Sequence, residues 1–391
     1  KGVTIRAIRN SFKMGKEGLM VNIENSDLAK IGTATDILRE LPRVDVGADG
    51  TVNVFAKGTP LIYINNKQVR SNTELEQLKS NEVKSVELIT APGAKYDATV
   101  QSVIRIKTIK KQGEGWSGEN YAQTSYNKYW AGYEDLELGY HTDKLEVFGE
   151  AWLISMPHSF ENTLTNQLNG SKEITVVQTC PMAYRTKSSD AKVGFDYTFD
   201  ESNSFGMTYE YDDATGKGYT LNNYQEIFEN GERIGYIDRF LDERTDFGPT
   251  QNLNAFFLGK IGKLGIDFNG TYVSKKQSRD MSSTETSDDF ESRNVHTRND
   301  RHSKMLAGKL MFSYPIWKGS LHIGTELTSS QIKGSYVNEE GLFDASNTEI
   351  KERNLAGFAE YAMPLGDLSL HAGLRYEHVW SDYYSFGKWQ E

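Results

Sequence analysis

The chain has 391 residues, 37% hydrophobic and 12% aromatic, which is enough for a folded protein of more than one domain. Its 44 Lys and Arg against 54 Asp and Glu leave a net charge of −10, which argues against a nucleic-acid partner, since such proteins neutralise phosphates with basic residues. One cysteine, Cys180, excludes an intrachain disulfide framework and multi-thiolate metal sites, and no run of 18 apolar residues offers a membrane helix, although a membrane β-barrel would escape that test.

Charge divides the chain. Residues 1–112 carry 18 basic and 12 acidic side chains, whereas residues 113–391 carry 26 and 42. The first segment reads as a small mixed α/β domain: Thr35 to Glu40 has a short helical pattern stopped at Leu41-Pro42, and β-rich runs follow at Val52 to Phe55, Leu61 to Asn65 and Val86 to Thr90. Gly50, Gly58 and Pro60 punctuate these runs, and Thr73 to Leu78 reads as a second helix with Leu75 and Leu78 on one face.

After Gly113-Glu114-Gly115 the pattern becomes period two. Val193, Phe195, Tyr197 and Phe199 share one face and Lys192, Gly194, Asp196 and Thr198 the other. Phe205, Met207, Tyr209 and Tyr211 oppose Thr208 and Glu210; Leu264, Ile266 and Phe268 oppose Asp267 and Asn269. Leu370, Leu374, Tyr376 and Trp380 oppose His371, Arg375 and Glu377. About eleven such strands are predicted, centred near residues 120, 136, 150, 183, 208, 256, 270, 309, 325, 358 and 374. Short turns are expected at 141–144, 200–203, 262–263, 315–319 and 365–367, and long polar loops around 157–175, 213–249, 276–303 and 333–352. Strict alternation sends all long loops to one end, as in antiparallel outer-membrane barrels. A soluble β-sandwich also alternates its faces, but has no reason to sort loops by length.

The most specific stretch is Leu61-Ile62-Tyr63-Ile64-Asn65-Asn66-Lys67, followed by Glu74 to Leu78, then VELITAPGAKYDA from Val86 to Ala98 and Ile104 to Thr108. In order and spacing these segments resemble the plug domain of TonB-dependent outer-membrane receptors, especially the Bacteroidota outer-membrane β-barrel branch; Gly373 to Glu377 extends the resemblance into the barrel. The resemblance implies a plug at 1–112 and antiparallel transmembrane barrel strands at 113–391, about 11 of the family's 22. An odd number of strands does not close, and the chain ends at what reads as another loop, so the expectation is a plug with the N-terminal half of a barrel. The resemblance also implies a location in the bacterial cell outer membrane, contact with lipid, import of an extracellular ligand, and coupling to TonB through a segment N-terminal to Lys1. Departures from the family pattern fall at Arg43, Asn66 and Gln101-Ser102.

Catalytic chemistry finds no support in the sequence. The seven histidines are scattered without triad partners, and His371 with Arg375 and Glu377 reads as a polar barrel wall. Asp288, Asp289, Glu291, His296 and His302 have metal-ligating side chains at irregular spacing in a polar segment, so no metal and no cofactor are expected. Gly216-Lys217-Gly218 lacks the upstream glycine of a phosphate loop, and nothing near Cys180 would activate it.

The resemblance places candidate ligand contacts at the plug apices, Lys57, Thr59, Asn66, Arg70, Lys95 and Tyr96. The aromatic-rich segment adds Tyr219, Tyr224 and Tyr236, which could stack on a ligand or only pack their own loop. Opposite net charges of the two segments give a reason for the plug to stay seated, with Lys84, Arg105, Arg70 and Lys95 against Asp196, Glu210, Asp267 and Glu377. The expected function is a TonB-dependent receptor and transporter that makes and breaks no bond. The alternatives are a structural or assembly subunit of an envelope complex, with a surface lipoprotein as a possible partner, and a soluble β-rich binding module.

Overall fold

Thr33 starts the main helix of the N-terminal unit because its hydroxyl accepts from the Asp36 amide while the Asp36 carboxylate accepts from the Thr33 amide at 3.0 Å, a closed capping box. In this computed structural model the helix, α1, spans Ala34–Arg39 and buries Ile37 and Leu38 completely. Arg43, at φ 68°, turns the chain out of the helix. The structure describes residues 12–14, 18–47, 50–65, 67–69, 75–76, 78–96, 99–109, 114–200, 202–288, 291–365 and 368–390.

Eight short strands accompany α1: β1 (Phe12–Met14), β2 (Leu19–Asn22), β3 (Val44–Val46), β4 (Val52–Val54), β5 (Leu61–Ile64), β6 (Lys67–Gln68), β7 (Val83–Ile89) and β8 (Val103–Thr108). Six form a mixed sheet in the order β1-β2-β7-β8-β5-β6, with β5 parallel to β8, and β3 and β4 form a separate ribbon. Val86, Leu88, Ile104 and Ile106 alternate inward from β7 and β8 and meet Ile37 and Leu38, giving one dry core beneath the sheet. Asn65 adopts φ 47° at the end of β5, and its side chain both donates to Thr108 Oγ1 at 2.6 Å and accepts from the Thr108 amide at 3.0 Å. Of the helix expected at Thr73 to Leu78, only Leu75, Glu76 and Leu78 lie among the described residues, with Leu75 wholly buried.

The rest is one antiparallel sheet of thirteen strands. In chain order these are β9 (Gly115–Asn127), β10 (Tyr129–His141), β11 (Leu145–Asn169), β12 (Glu173–Asp200), β13 (Asn203–Glu229), β14 (Glu232–Asp246), β15 (Thr250–Ile261), β16 (Leu264–Ser287), β17 (Arg293–Ile316), β18 (Gly319–Asn338), β19 (Ser346–Leu365), β20 (Leu368–Ser385) and β21 (Lys388–Gln390). β14 and β15 share one place: β14 pairs the far halves of β13 and β16, and β15 pairs their near halves. With β21 a three-residue return, the sheet has the eleven long strand positions that the alternation predicts. Among the described strands the sheet is open, with β9 bonded to β10 alone. Among the described residues no helix is long and apolar enough to cross a membrane, which says nothing about strands.

The faces fall as the period-two pattern sorts them. Val193 pairs with Tyr209 and Phe195 with Met207 in the β12/β13 ladder, so all four share a face. That face is left uncovered: Val193 is 55% exposed and Leu374 77%. The opposite face carries Lys192, Glu210, Asp267, Lys309, Glu326 and Glu360 and receives the N-terminal unit.

The expected long loops are corrected by the structure. The segments 157–175, 213–249, 276–303 and 333–352 are mainly strand, continuing the ladders far beyond the aromatic zone into hairpins with tight tips at 170–172 and 230–231. β12 alone has 28 residues, which at about 3.3 Å per residue is roughly 90 Å of strand, against a hydrocarbon core of about 30 Å. A ladder outside lipid needs no apolar face, and where both of its sides are polar, as over Lys276 to Ser287, the sequence reads as loop. The short turns at the other end lie where expected; Gly366 and Asp367 are outside the described residues.

Candidate functional site

The loop between β7 and β8 runs through Ala91-Pro92-Gly93-Ala94-Lys95-Tyr96 and is closed by the Tyr96 amide donating to the Gly93 carbonyl at 3.1 Å. It lands on the charged face of the large sheet. Glu360, 3% exposed on β19, accepts from the Lys95 amide at 3.3 Å. Its carboxylate occupies the space where a Gly93 side chain would begin, so any side chain there would have to displace the Glu360 carboxylate from this contact. Across the sheet, a β-carbon on Gly373 of β20 would sit 2.6 Å from that of Ala94, so a second glycine gives the loop room from the wall side.

Charge completes the seat. The Lys309 ammonium on β17 donates to the Lys95 carbonyl and lies 5.1 Å from the centre of the Tyr96 ring and 5.4 Å from that of Phe358. Glu326 on β18 stands 4.0 Å from Lys309 and 3.2 Å from Arg375 on β20, and Arg375 also bonds Glu377. From the N-terminal unit, Arg105 donates to the Tyr96 hydroxyl at 2.5 Å and pairs with Glu87 at 3.4 Å. Glu360 is thus one member of a network that ties four wall strands, β17 to β20, to one loop. Removing one partner of such a network leaves the others desolvated and unpaired, at a cost of several kcal/mol.

Two cavities flank the contact. One of about 380 Å³ is lined by Lys95, Tyr96, Arg105, Asp267 and Lys309. Another of about 340 Å³ separates Tyr63, Asn65 and Glu82 from Glu137, Glu150, Lys192 and Asp196 on the wall. Nearer the short-turn end, Lys79 reaches Glu119 of β9 at 2.8 Å, and the hydrogen bond to that carboxylate raises the Lys79 ammonium above its ordinary pKa.

The residues singled out from sequence scatter more widely than one site. Lys95 and Tyr96 lie buried at the seat, with Arg105 behind them and Asp267 across the cavity. Asp196 lines the other cavity, Glu210 accepts from Asn252 at 2.8 Å within the sheet, and Glu377 bonds Arg375 of its own strand. Lys84, Lys57 and Thr59 are exposed, Thr59 bonding Asn53 at 3.2 Å. Tyr224 and Tyr236 meet as stacked rings 5.9 Å apart near the β13/β14 hairpin tip, with Arg233 held 5.4 Å from the Tyr236 ring and bonded to the Tyr224 hydroxyl at 3.3 Å. Asn66 and Arg70 lie outside the described residues, as does the side chain of Tyr219.

Sequence reasoning missed Glu360, Lys309 and Glu326. A signal existed for Glu360: Ala356, Phe358 and Glu360 alternate with Leu355, Gly357 and Ala359, which puts the glutamate on the charged face. Nothing at the seat resembles a nucleophile with its base, and among the described residues no three His, Cys, Asp or Glu side chains converge as metal ligands.

Residues 258–391 match the outer membrane protein β-barrel family, about a third of the chain. No curated protein matches the sequence. Solved structures that align with this chain include the ferric yersiniabactin uptake receptor FyuA from Yersinia pestis, at 13% identity over 95% of this chain and 72% of that one with a TM-score of 0.33. The ferric preacinetobactin receptor BauA from Acinetobacter baumannii aligns at 11% identity over 96% and 76%, with a TM-score of 0.32. The siderophore receptor PirA from Pseudomonas aeruginosa aligns at 9% over 95% and 92%, with a TM-score of 0.29. The family match and the uncovered aromatic face assign the large sheet to the bacterial outer membrane, its apolar face toward lipid and its charged face toward the lumen.

Proposed function

We propose that this chain is the plug and the N-terminal half of the barrel of a TonB-dependent outer-membrane receptor of the Bacteroidota type, which binds an extracellular ligand between the far hairpins and the plug and imports it through the lumen. The observation that carries the reading is the seat of the 91–96 loop, a small folded unit held in the sheet's lumen by polar contacts at Glu360 and Lys309. Polar contacts suit a part that must leave: they give register and can be exchanged for water, whereas a large apolar interface would resist withdrawal. The open sheet supports the half-barrel, because an unpaired edge strand in lipid leaves backbone groups costing several kcal/mol each. TonB would act from the N-terminal side of the plug, and the cavity of about 340 Å³ beside Asp196 and Glu150 lies on the route a released plug would open.

The test uses the whole protein in cells whose outer membrane excludes vancomycin. Glu360→Ala should loosen the seat and raise sensitivity to the antibiotic, and a disulfide between Ala94→Cys and Gly373→Cys should restore exclusion until a reductant is added. Unchanged sensitivity in Glu360→Ala, together with unchanged hydrogen exchange over 91–96, would sink the import path and leave a structural role.

A further inference from the structure

Between β18 and β19 the chain leaves the ladder over 339–345 and folds back toward the far ends of β16 and β17. Its root is fixed by backbone-level bonds. The His296 amide donates to Glu340 Oε2 at 2.7 Å, and the His296 carbonyl accepts from the Glu339 amide and from Asn338 Nδ2, each at 3.1 Å. Asn338 Oδ1 in turn accepts from the Leu342 and Phe343 amides at 2.5 and 3.2 Å. Leu342 and Phe343 then line a cavity of about 470 Å³ whose other wall includes Arg239, Arg279 and Arg293.

The His296 ring sits between two carboxylates on different segments. Nε2 lies 3.2 Å from Asp280 Oδ1 on β16, and Nδ1 lies 2.9 Å from Glu339 Oε1 on the loop. A neutral imidazole has one N–H, so one carboxylate would then face a nitrogen lone pair; only the imidazolium satisfies both. The charged groups around the ring are Asp280 on β16, Arg298 on β17, and Glu339 and Glu340 on the loop, while β18 contributes the uncharged Asn338. Arg298 is bonded to Asp300 at 2.9 Å, which leaves the carboxylates dominant at the ring.

We infer that 339–345 is a proton-controlled lid, in which the His296 imidazolium clasps Glu339 to Asp280 and holds Leu342 and Phe343 over the arginine-walled cavity, and loss of one ring proton frees the loop. The sign follows from the partners. The Asp280 and Glu339 carboxylates raise the pKa of His296, so the clasp is complete below the ordinary histidine range and is lost as pH rises through the raised value. Glu340 keeps its bond to the His296 amide, which holds its carboxyl below the usual range, so the loop stays tethered at that one point while the turn carrying the Leu342 and Phe343 amides opens.

The lid does not depend on whether the chain imports anything, and its test reads the loop itself. In the whole protein in detergent, hydrogen exchange of the Leu342 and Phe343 amides, corrected for intrinsic base catalysis, should be faster by on the order of tenfold at about pH 8.5 than at about pH 5.5. His296→Gln should abolish that dependence. Glu339→Gln should also abolish it but keep the loop protected at both values, because an amide can donate to the deprotonated nitrogen as well as accept from the protonated one. A wild type with equal protection at both values, or a dependence that survives in either variant, overturns the lid.

Discussion

The two regions of this molecule are held together in opposite ways. The N-terminal unit buries its apolar side chains against one another, with Ile37, Leu38, Leu75 and Ile104 all at 0% exposure. The large sheet buries only small apolar groups such as Cys180 with Leu241, and Phe358 at the seat; the bulk of its large apolar side chains point outward, and its inward face carries charges bonded side chain to side chain. The contrast teaches that hydrophobicity alone does not mark the inside of this protein. In the small unit the hydrophobic effect drives burial, whereas in the sheet the ladder supplies order and lipid replaces the core.

Substitutions should separate the two regimes. The largest effect is expected for Ile104→Ala, which opens a cavity in the dry core and should cost about 2–5 kcal/mol of the N-terminal unit's stability, measured by proteolysis of that unit, while the sheet keeps its resistance to SDS. Leu374→Arg should do the reverse, costing the sheet about 2–4 kcal/mol if it lies near the bilayer midplane, read by folding into vesicles, and leaving the unit's protease resistance unchanged. Equal effects of both on both regions would break the comparison. Thr33→Ala removes one half of the capping box and should cost about 1 kcal/mol in the unit. Its partner gives a pH signature: the Thr33 amide holds the Asp36 carboxyl below its ordinary pKa, so the cap's contribution is present above that ordinary value and fades as pH falls through the depressed one. Asp36→Asn should remove that acid-side loss from the unit's melting curve. The smallest effect is expected for Lys79→Ala, since both partners of its bridge to Glu119 are more than half exposed; unit–sheet docking should weaken only slightly, and less at high salt.

The legible parts of this fold were those where one environment acts on every second residue. Val193 to Phe199 and Leu370 to Tyr376 face lipid on one side and polar surroundings on the other, so their faces could be assigned before any coordinates. Lys276 to Ser287 continues the same strand as Leu264 to Phe268, yet both of its faces are polar, so the alternation is lost and the segment reads as a loop. The seat divided likewise. Lys95 and Tyr96 stood out within a recognisable motif, but Glu360, Lys309 and Glu326 lie 265, 214 and more than two hundred residues away from the loop they surround, on strands whose side-by-side order no local pattern encodes.

What the sequence determined by itself was the row of eleven strand positions and which way their side chains face, because each is a repeated local choice between apolar and polar surroundings. The tertiary structure alone decided which charges meet. Register fixes Glu360 beneath Gly93 and sets His296 between Asp280 and Glu339, and register is a property of neighbouring strands taken together, in which a slip of one residue would turn every one of these side chains to the other face.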